Sequence, residues 1–244
     1  MANQQSYKPE HLLVLDIETV PQYSSFEELP EPWKVLWTDK ISKTMPENFP
    51  APEMYEQRAG IQAEFGKIIC ISTGFFYTDK AGRLCFRLKS YAQDDEKKLL
   101  TEFSAKAESF YKANPDFSFA GHNIKEFDIP YISRRMMINQ IPLPSFLQFS
   151  GKKPWETNLA DTMQLWKFGD YKNYTSLKLL AACLGIATPK DDIDGSRVKE
   201  VYYKEKNLPR IVEYCQKDVI AAAQIFLRFQ NLPLLAQEHI FIAE

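Results

Sequence analysis

The sequence predicts a mixed α/β domain in which helices cover both faces of a central β-sheet. First, the unbroken apolar run at residues 12–15 is typical of a strand that is buried on both faces. Second, residues 67–92 hold two runs rich in Ile and aromatic or alternating apolar residues around an Ala-Gly turn, which indicates a hairpin. Third, the chain beyond residue 158 has mostly helical spacing. Together these elements are typical of a sheet with helices on both sides.

The composition favours one domain with a sizeable core and argues against several functions. The 244 residues are 45% hydrophobic, so we expect a single domain over residues 1–244. The net charge of −2 argues against nucleic-acid binding by bulk charge, although it is compatible with an enzyme that has a local basic groove. No apolar run approaches the roughly 20 residues of a membrane span, and the N-terminus has no signal core. We therefore expect a cytoplasmic protein with reduced cysteines and no membrane partner.

A Pro-rich segment follows the first predicted strand. At about residues 21–60 it holds six prolines, which forbid a long helix except in short pieces. Its aromatic residues, which argue against a disordered linker, include Trp33, Trp37, Phe49 and Tyr55. We predict an insertion that packs on the domain and either borders the active site or has a packing role alone.

The remaining elements follow in order from residue 65. After the hairpin, residues 94–113 have an apolar side that includes Leu99, Leu100 and Phe103, which predicts an amphipathic helix. A short strand is predicted at residues 117–120, and a strand end or turn at residues 159–161 is followed by a short predicted helix. Further helices are predicted at residues 124–140, 176–184, 196–205 and 208–229, with an acidic loop at residues 191–195. Pro209 falls in the first turn of the last helix, where proline is tolerated.

Four carboxylates occur where these elements begin or end. Asp16 and Glu18 are two apart on the first strand, so both side chains point to one face and repel each other unless a cation lies between them. Asp128 lies early in the helix after a buried strand. Asp218 lies one turn after Tyr214, on the same helix face. Each acid alone is also compatible with a plain structural role, at a strand end, at a helix N-terminus or on the surface.

In chain order these residues form the pattern D-x-E, N-x-x-x-F-D and Y-x-x-x-D, from Asp16 to Asp218. This pattern resembles the DnaQ-like DEDD superfamily of 3′–5′ exonucleases. The Tyr form of the last motif is similar to the DEDDy branch, which includes the exonuclease domains of family A and family B DNA polymerases. In the sister branch a His stands five residues before the last Asp, where this chain has Glu213. The chain most resembles standalone bacterial proteins related to the family B exonuclease domain.

The resemblance implies a ribonuclease H-like mixed sheet flanked by helices, and a site with two divalent ions, Mg²⁺ or Mn²⁺. In that site Asp16 would bridge both ions, Glu18 and Asp218 would hold the ion that activates water, and Asp128 would hold the second ion. Tyr214 would orient the water. The resemblance further implies that Thr19, Asn123 and Phe127 contact the substrate, and that the enzyme releases nucleotides from the 3′ end of single-stranded or frayed DNA. A DNA polymerase acting in trans is a possible partner.

Other functions are compatible with the same residues. An RNA 3′ exonuclease would use the same metals, because the motifs carry no readout of the 2′-hydroxyl. A catalytically silent nucleic-acid-binding module on this fold is a second alternative, although all four acids and Tyr214 are present. A carbohydrate or peptide hydrolase with paired acids is a third.

Several residues near the motifs have two interpretations. Asp161 either caps a helix or acts near the site, whereas His122 is expected to hydrogen-bond locally. The aromatic side chains between residues 155 and 174 are expected in the core more than as stacking platforms; they are Trp155, Trp166, Phe168, Tyr171 and Tyr174. Residues 134–178 carry seven basic side chains against three acids, which suits either a single-strand groove or a solvated surface. The basic side chains are Arg134, Arg135, Lys152, Lys153, Lys167, Lys172 and Lys178.

Overall fold

The computed structural model describes residues 7–43, 50–153, 156–170, 174–187 and 193–243. In this part of the chain six strands form one sheet in the order β5-β4-β1-β2-β3-β6. The strands are β1 (Leu12–Pro21), β2 (Gly66–Thr78), β3 (Leu84–Ala92), β4 (Ser118–Gly121), β5 (Leu159–Asp161) and β6 (Ile240–Ala243). β1, β2 and β3 are successively antiparallel, whereas β4 and β5 run parallel to β1, and β6 runs parallel to β3. The predicted mixed sheet and its hairpin are confirmed.

Eight helices accompany the described sheet. They are α1 (Glu31–Ser42), α2 (Ala51–Arg58), α3 (Glu96–Ala113), α4 (Asp128–Ile138), α5 (Thr162–Lys167), α6 (Leu177–Cys183), α7 (Val198–Glu200) and α8 (Leu208–Phe229). A π-helical turn, Val201–Glu205, continues α7. The Asn207 side chain accepts a hydrogen bond from the backbone N–H of Arg210 and so caps α8, and Pro209 lies in its first turn as predicted.

The two faces of β1 belong to different halves of the core. Leu13, Leu15 and Ile17 pack in a cluster with side chains from α3 and α4. Leu12 and Val14 pack on the opposite face, with side chains from α8. Because successive side chains of a strand alternate, the side chains of residues 16 and 18 point to the α8 face.

A β-bulge lies beside the acidic end of β1. Glu18 pairs with Cys70 but Thr19 pairs with Ile68, so Ile69 has no partner residue on β1. The bulge breaks the alternation of β2, and Ile69 and Cys70 therefore both pack in the cluster on the α8 side. Sequence periodicity alone did not predict this irregularity.

A buried ion pair between Glu96 of α3 and Arg135 of α4 connects α4 to the sheet at the bulge. The Glu96 carboxylate accepts hydrogen bonds from the backbone N–H of Ile68 at 2.7 Å and from Arg135 Nε at 2.8 Å. Asn139 Nδ2 donates to the same carboxylate at 2.8 Å, and Arg135 Nη1 donates to the carbonyl oxygen of Ala63. Both charged side chains are therefore paired where burial would otherwise be costly.

The Pro-rich segment forms α1, α2 and a small core of its own. Its buried side chains are Leu29, Trp37, Ile41, Met54, Tyr55, Ala59 and Phe65. Pro32 and Pro52 lie at the first turns of these helices, where a missing N–H costs nothing. Pro46 and Phe49 lie outside the described residues. The single-domain organisation with an insertion at about residues 21–60 stays a prediction.

One strand was not predicted, and one predicted loop lies partly outside the described residues. The strand is β6, which has only four residues and pairs with β3. A strand this short forms because of that pairing more than because of its own sequence pattern. Of the predicted acidic loop, Asp191 and Asp192 lie outside the described residues.

Candidate active site

The predicted carboxylates converge on one cavity of about 420 Å³ on the α8 side of β1. Asp16 and Glu18 lie on β1, Asp128 begins α4 and Asp218 lies on α8. The lining includes Asp16, Glu18, Asn123, Phe127, Asp128, Tyr214 and Asp218. Three separate elements and the segment between β4 and α4, which carries Asn123 and Phe127, thus bring together seven of the eight residues that were predicted for the site.

The position of Asp128 follows from the end of the pairing between β1 and β4. That pairing stops at Val14 and Ala120, so the backbone of β1 beyond it needs another partner. The backbone N–H of Ile17 donates to Asp128 Oδ1 at 3.1 Å, and the Asp128 side chain is buried. One hydrogen bond therefore fixes the third acid beside the strand that carries the first two.

Helix α8 presents Tyr214 and Asp218 from the other side of the cavity. The Tyr214 hydroxyl is hydrogen-bonded to the Asp218 carboxylate. Between them, the Cys215 thiol points at β1 and donates to Asp16 Oδ2 at 3.4 Å and to the Asp16 carbonyl oxygen at 3.5 Å. Cys215 therefore orients the first acid of the site.

Burial and mutual repulsion raise the pKa values of the acids. For Asp16, burial is the main cause of a raised pKa, followed by the charges of Asp128, Glu18 and Asp218. For Glu18, burial is again the main cause of a raised pKa, followed by the charge of Asp218. Burial raises the pKa of Asp128 to about 7, although the hydrogen bond from Ile17 lowers it. Carboxylates in this state gain most from nearby cations, which relieve both the repulsion and the lost hydration.

Asn123 lines the cavity and has a left-handed backbone conformation. Its φ is +63°, in the left-handed region that Asn tolerates better than most residues. Gly121, just before it, passes so close to β1 that a Cβ atom there would lie 2.6 Å from the Leu15 carbonyl oxygen. Among the described residues, no group hydrogen-bonds the buried Asn123 Oδ1. A buried acceptor in this state is suited to a ligand that brings a donor.

Asp161 supports the loop that carries Asn123. Its buried carboxylate caps α5 by accepting from the backbone N–H groups of Met163 at 2.9 Å and Gln164 at 3.3 Å. It also accepts from the backbone N–H groups of Asn123 and Lys125, both at 3.0 Å. The interpretation of Asp161 as a helix cap is therefore confirmed, and the same carboxylate also supports the loop of Asn123; a role in the site stays a prediction.

Thr19 is the one predicted site residue that does not line this cavity. It lies on the α4 side of β1, where its hydroxyl is hydrogen-bonded to that of Tyr131. Tyr131 in turn donates to the carbonyl oxygen of Gly60 at 2.7 Å. The Thr19 side chain therefore joins β1 to α4 and to the Pro-rich segment.

Neighbouring residues add to the lining, and some differ from expectation. His122 hydrogen-bonds locally as predicted, with Nδ1 2.8 Å from Thr162 Oγ1 and Nε2 2.8 Å from the Thr175 carbonyl oxygen. The expectation of a core position is wrong for Tyr174, which is 71% exposed and lines the cavity, and for Phe168, which is 86% exposed. Trp155, Tyr171 and Lys172 lie outside the described residues.

Cys215 and residues 176–178, which also adjoin the site, were not predicted as part of it. A signal for Cys215 was present in the sequence. Ile211, Cys215 and Val219 are four apart, so they share the apolar face of α8 that packs on the sheet.

The donor set fits hard divalent ions. An oxygen of Asp16, an oxygen of Glu18 and the Cys215 sulfur all lie within 4.8 Å of one another. Mg²⁺ and Mn²⁺ prefer carboxylate oxygens over sulfur. The Cys215 thiol already donates its proton to Asp16. The carboxylates are therefore the groups that suit these ions. The unpartnered Asn123 Oδ1 is suited to a hydrogen bond from substrate or water.

Comparison with known proteins identifies a family that this chain matches. A family model described as a predicted 3′–5′ exonuclease related to the exonuclease domain of PolB matches residues 61–239. The match includes Asp128, Tyr214 and Asp218. It begins after β1, so the cavity lining, and not the family match, brings Asp16 and Glu18 together with these residues. No curated protein matches the chain.

Among solved structures, the fold is similar to the family B DNA polymerase of the hyperthermophilic archaeon Pyrobaculum calidifontis, with a TM-score of 0.55 at 15% sequence identity. The similarity covers 91% of this chain and 24% of the polymerase chain, so the chain spans about a quarter of that protein. It supports the ribonuclease H-like fold that the resemblance implied. Among the described residues, none of the helices has the length and apolar character needed to cross a membrane.

Proposed function

The chain belongs to the family of predicted 3′–5′ exonucleases related to the exonuclease domain of PolB, and we propose that it hydrolyses phosphodiester bonds at the 3′ end of single-stranded or frayed DNA. One observation carries this proposal. Four acids, contributed by β1, α4 and α8, line a single cavity, and the pKa values of Asp16, Glu18 and Asp128 are raised there. Such a set suits divalent cations better than paired-acid chemistry without metal.

Asp16, Glu18, Asp128 and Asp218 would hold two divalent ions, Mg²⁺ or Mn²⁺. When bound, such ions stabilise negative charge on the attacking and leaving oxygens and favour ionisation of the attacking water. Asp16 is held for this role from two directions, by the β1 backbone and by the Cys215 thiol. Asp128 is held by the Ile17 N–H.

Tyr214 would align the attacking water instead of taking its proton. Burial, followed by the charges of Asp218, Glu18 and Asp16, raises the pKa of Tyr214 far above neutrality, so the phenol keeps its proton. A protonated phenol anchored on Asp218 offers a fixed oxygen to a water molecule beside the acids.

Asn123 and Phe127 would position the terminal nucleotide. The unpartnered Asn123 Oδ1 can accept a hydrogen bond from a sugar hydroxyl or a base amino group. The Phe127 ring lines the cavity and is supported by Tyr131, with ring centroids 5.3 Å apart, so it can take a base on its other side. Thr19 would act through its backbone, because its side chain is turned to Tyr131.

Digestion of labelled single-stranded DNA, duplex DNA and RNA, with Mg²⁺, Mn²⁺ or EDTA, tests the proposal. We expect metal-dependent release of mononucleotides, with single-stranded DNA the preferred substrate. A preference for RNA would establish the first alternative, and binding without hydrolysis under any metal would establish the silent module. Activity in EDTA would contradict the proposal that two metal ions are required. A polymerase partner in trans and a cytoplasmic location are further proposals that co-purification and fractionation would address.

A further inference from the structure

We call the cavity that the four acids line the catalytic cavity. A larger groove lies beside it, between α4, α5 and the loop after α4. Its volume is about 1420 Å³, and we call it the α4–α5 groove. Residues 123–129 connect it to the catalytic cavity. Asn123, Phe127 and Asp128 line the cavity, whereas Lys125, Glu126 and Ile129 line the groove. A chain that leaves the catalytic cavity across this segment therefore enters the groove.

The groove is basic in a protein that is acidic overall. Its charged lining side chains are Lys125, Arg134, Lys152, Lys167 and a single acid, Glu126. Gln164 Nε2 donates to Glu126 at 2.8 Å, and Lys167 Nζ lies 3.7 Å from it, so the one negative charge is already engaged. Among the described residues, no carboxylate forms an ion pair with Lys125, Arg134 or Lys152. With a net charge of −2 for the whole chain, this concentration of cations is local.

Apolar and aromatic side chains lie between these cations. Phe149 is half-buried in the lining, and the Lys152 ammonium lies 5.5 Å from the centre of its ring. Met137 is 66% exposed on α4 and faces the same groove. Cations that alternate with aromatic and apolar surfaces fit an extended nucleic-acid strand, whose phosphates need charge and whose bases need flat surfaces.

We propose that the α4–α5 groove binds the single strand upstream of the scissile 3′ end, while the catalytic cavity holds the terminal nucleotides. This inference rests on the proposed function and adds a second contact region to it. An acidic peptide is the competing occupant, but its negative charge would account for the cations alone and not for the aromatic and apolar side chains between them.

Fluorescence anisotropy with 5′-labelled oligothymidylates of 3 and 15 nucleotides, in EDTA to prevent cleavage, tests this inference. The test variant is Arg134→Glu with Lys152→Glu, because both side chains are exposed and neither packs in the core. We expect the variant to bind the 15-mer on the order of 10-fold more weakly and the 3-mer with unchanged affinity. The slope of log affinity against log salt concentration should fall by about 0.7 for each phosphate that the variant no longer neutralises.

Lys80→Glu provides the matched control, since Lys80 is an exposed cation in the β2–β3 turn, outside both cavities. We expect the control to bind both oligonucleotides as the wild type does. Equally weakened binding in the control and the test variant, or of the 3-mer and the 15-mer, would overturn the groove assignment. So would a polyglutamate peptide that binds the wild type as tightly as the 15-mer does and binds the same variant more weakly. If the wild type binds the 15-mer through the groove but never cleaves it, the proposed function is contradicted and the groove assignment still holds.

Discussion

Asp128 accepts a hydrogen bond from the backbone N–H of Ile17, with 3.1 Å between the nitrogen and Oδ1. Ile17 lies between Asp16 and Glu18, so this bond ties three of the four acids to one stretch of backbone. The fourth, Asp218, comes from α8, whose Cys215 thiol also contacts Asp16. The arrangement holds acids with raised pKa values close together.

Asp128→Asn should stabilise the metal-free protein at pH 8 while abolishing activity. The amide oxygen can still accept from Ile17, but the buried charge is gone. In the folded wild type the pKa of Asp128 is about 7, against an ordinary value of 3.8. Between these values the folded state retains a proton that the unfolded state has released. The free energy of unfolding therefore falls as pH rises from about 4 to 7, by a few kcal/mol.

Chemical denaturation in EDTA at pH 5 and pH 8 measures this effect. The wild type should lose more stability between the two pH values than Asp128→Asn does, and Mn²⁺ should restore wild-type stability at pH 8. Asp116→Asn, at an exposed acid before β4, is the control and should follow the wild type. Identical pH dependence in the wild type and Asp128→Asn would show that the Asp128 charge does not destabilise the folded state.

Tyr214→Phe should lower the rate and leave metal affinity unchanged. The phenol keeps its proton, so its expected role is to align water, and removing one aligning hydrogen bond costs roughly 10- to 1,000-fold in rate. Asp218→Asn removes the charge of a proposed metal ligand on the same helix face and should weaken metal binding as well. Titration of the rate against Mn²⁺ separates the two variants. A metal midpoint that shifts as much in Tyr214→Phe as in Asp218→Asn would contradict the alignment role.

Asp161→Asn should weaken substrate binding through the loop that carries Asn123 and Phe127. The carboxylate accepts four backbone N–H groups, and an amide would turn a donor toward at least one of them. One unsatisfied buried N–H costs about 1–3 kcal/mol. We expect a lower melting temperature and a higher KM, with a smaller change in kcat.

Asp95→Asn is the matched control, because Asp95 caps α3 by accepting from the Lys98 N–H and lies outside the cavity. Asn caps a helix about as well as Asp, so this variant should keep both its stability and its KM. If Asp161→Asn lowered the melting temperature but left KM unchanged, Asp161 would be a structural cap with no positioning role.

The sequence predicted the sheet and the shared faces of neighbouring acids because these signals are local, whereas the assignment of all four acids to one site came from the resemblance of their ordered pattern. The apolar run of β1 and the two-residue and four-residue spacings of the acids follow from strand and helix periods. The β-bulge lies on β2, so the two-residue period of β1 also puts Thr19 on the face opposite to Asp16 and Glu18, where the structure places it. This signal was present in the sequence and argues for a backbone role of Thr19.

Features that depend on distant partners could not be predicted in this way. The bulge at Ile69 arises from the register of β2 against β1, which no single strand encodes. The exposure of Phe168 and Tyr174 depends on what packs nearby, and an aromatic residue alone does not reveal that. The four N–H groups on Asp161 come from two segments that meet only in the folded chain.

Single-turnover digestion of 5′-labelled single-stranded DNA tests the proposed exonuclease activity most directly. With Mg²⁺ we expect a ladder that shortens by one nucleotide at a time from the 3′ end. A 3′-phosphate should block it, and Asp16→Ala, with an unchanged melting curve, should leave the substrate intact. Release of the label as a mononucleotide in the first turnovers, or a near-wild-type rate for Asp16→Ala, would contradict the proposed function.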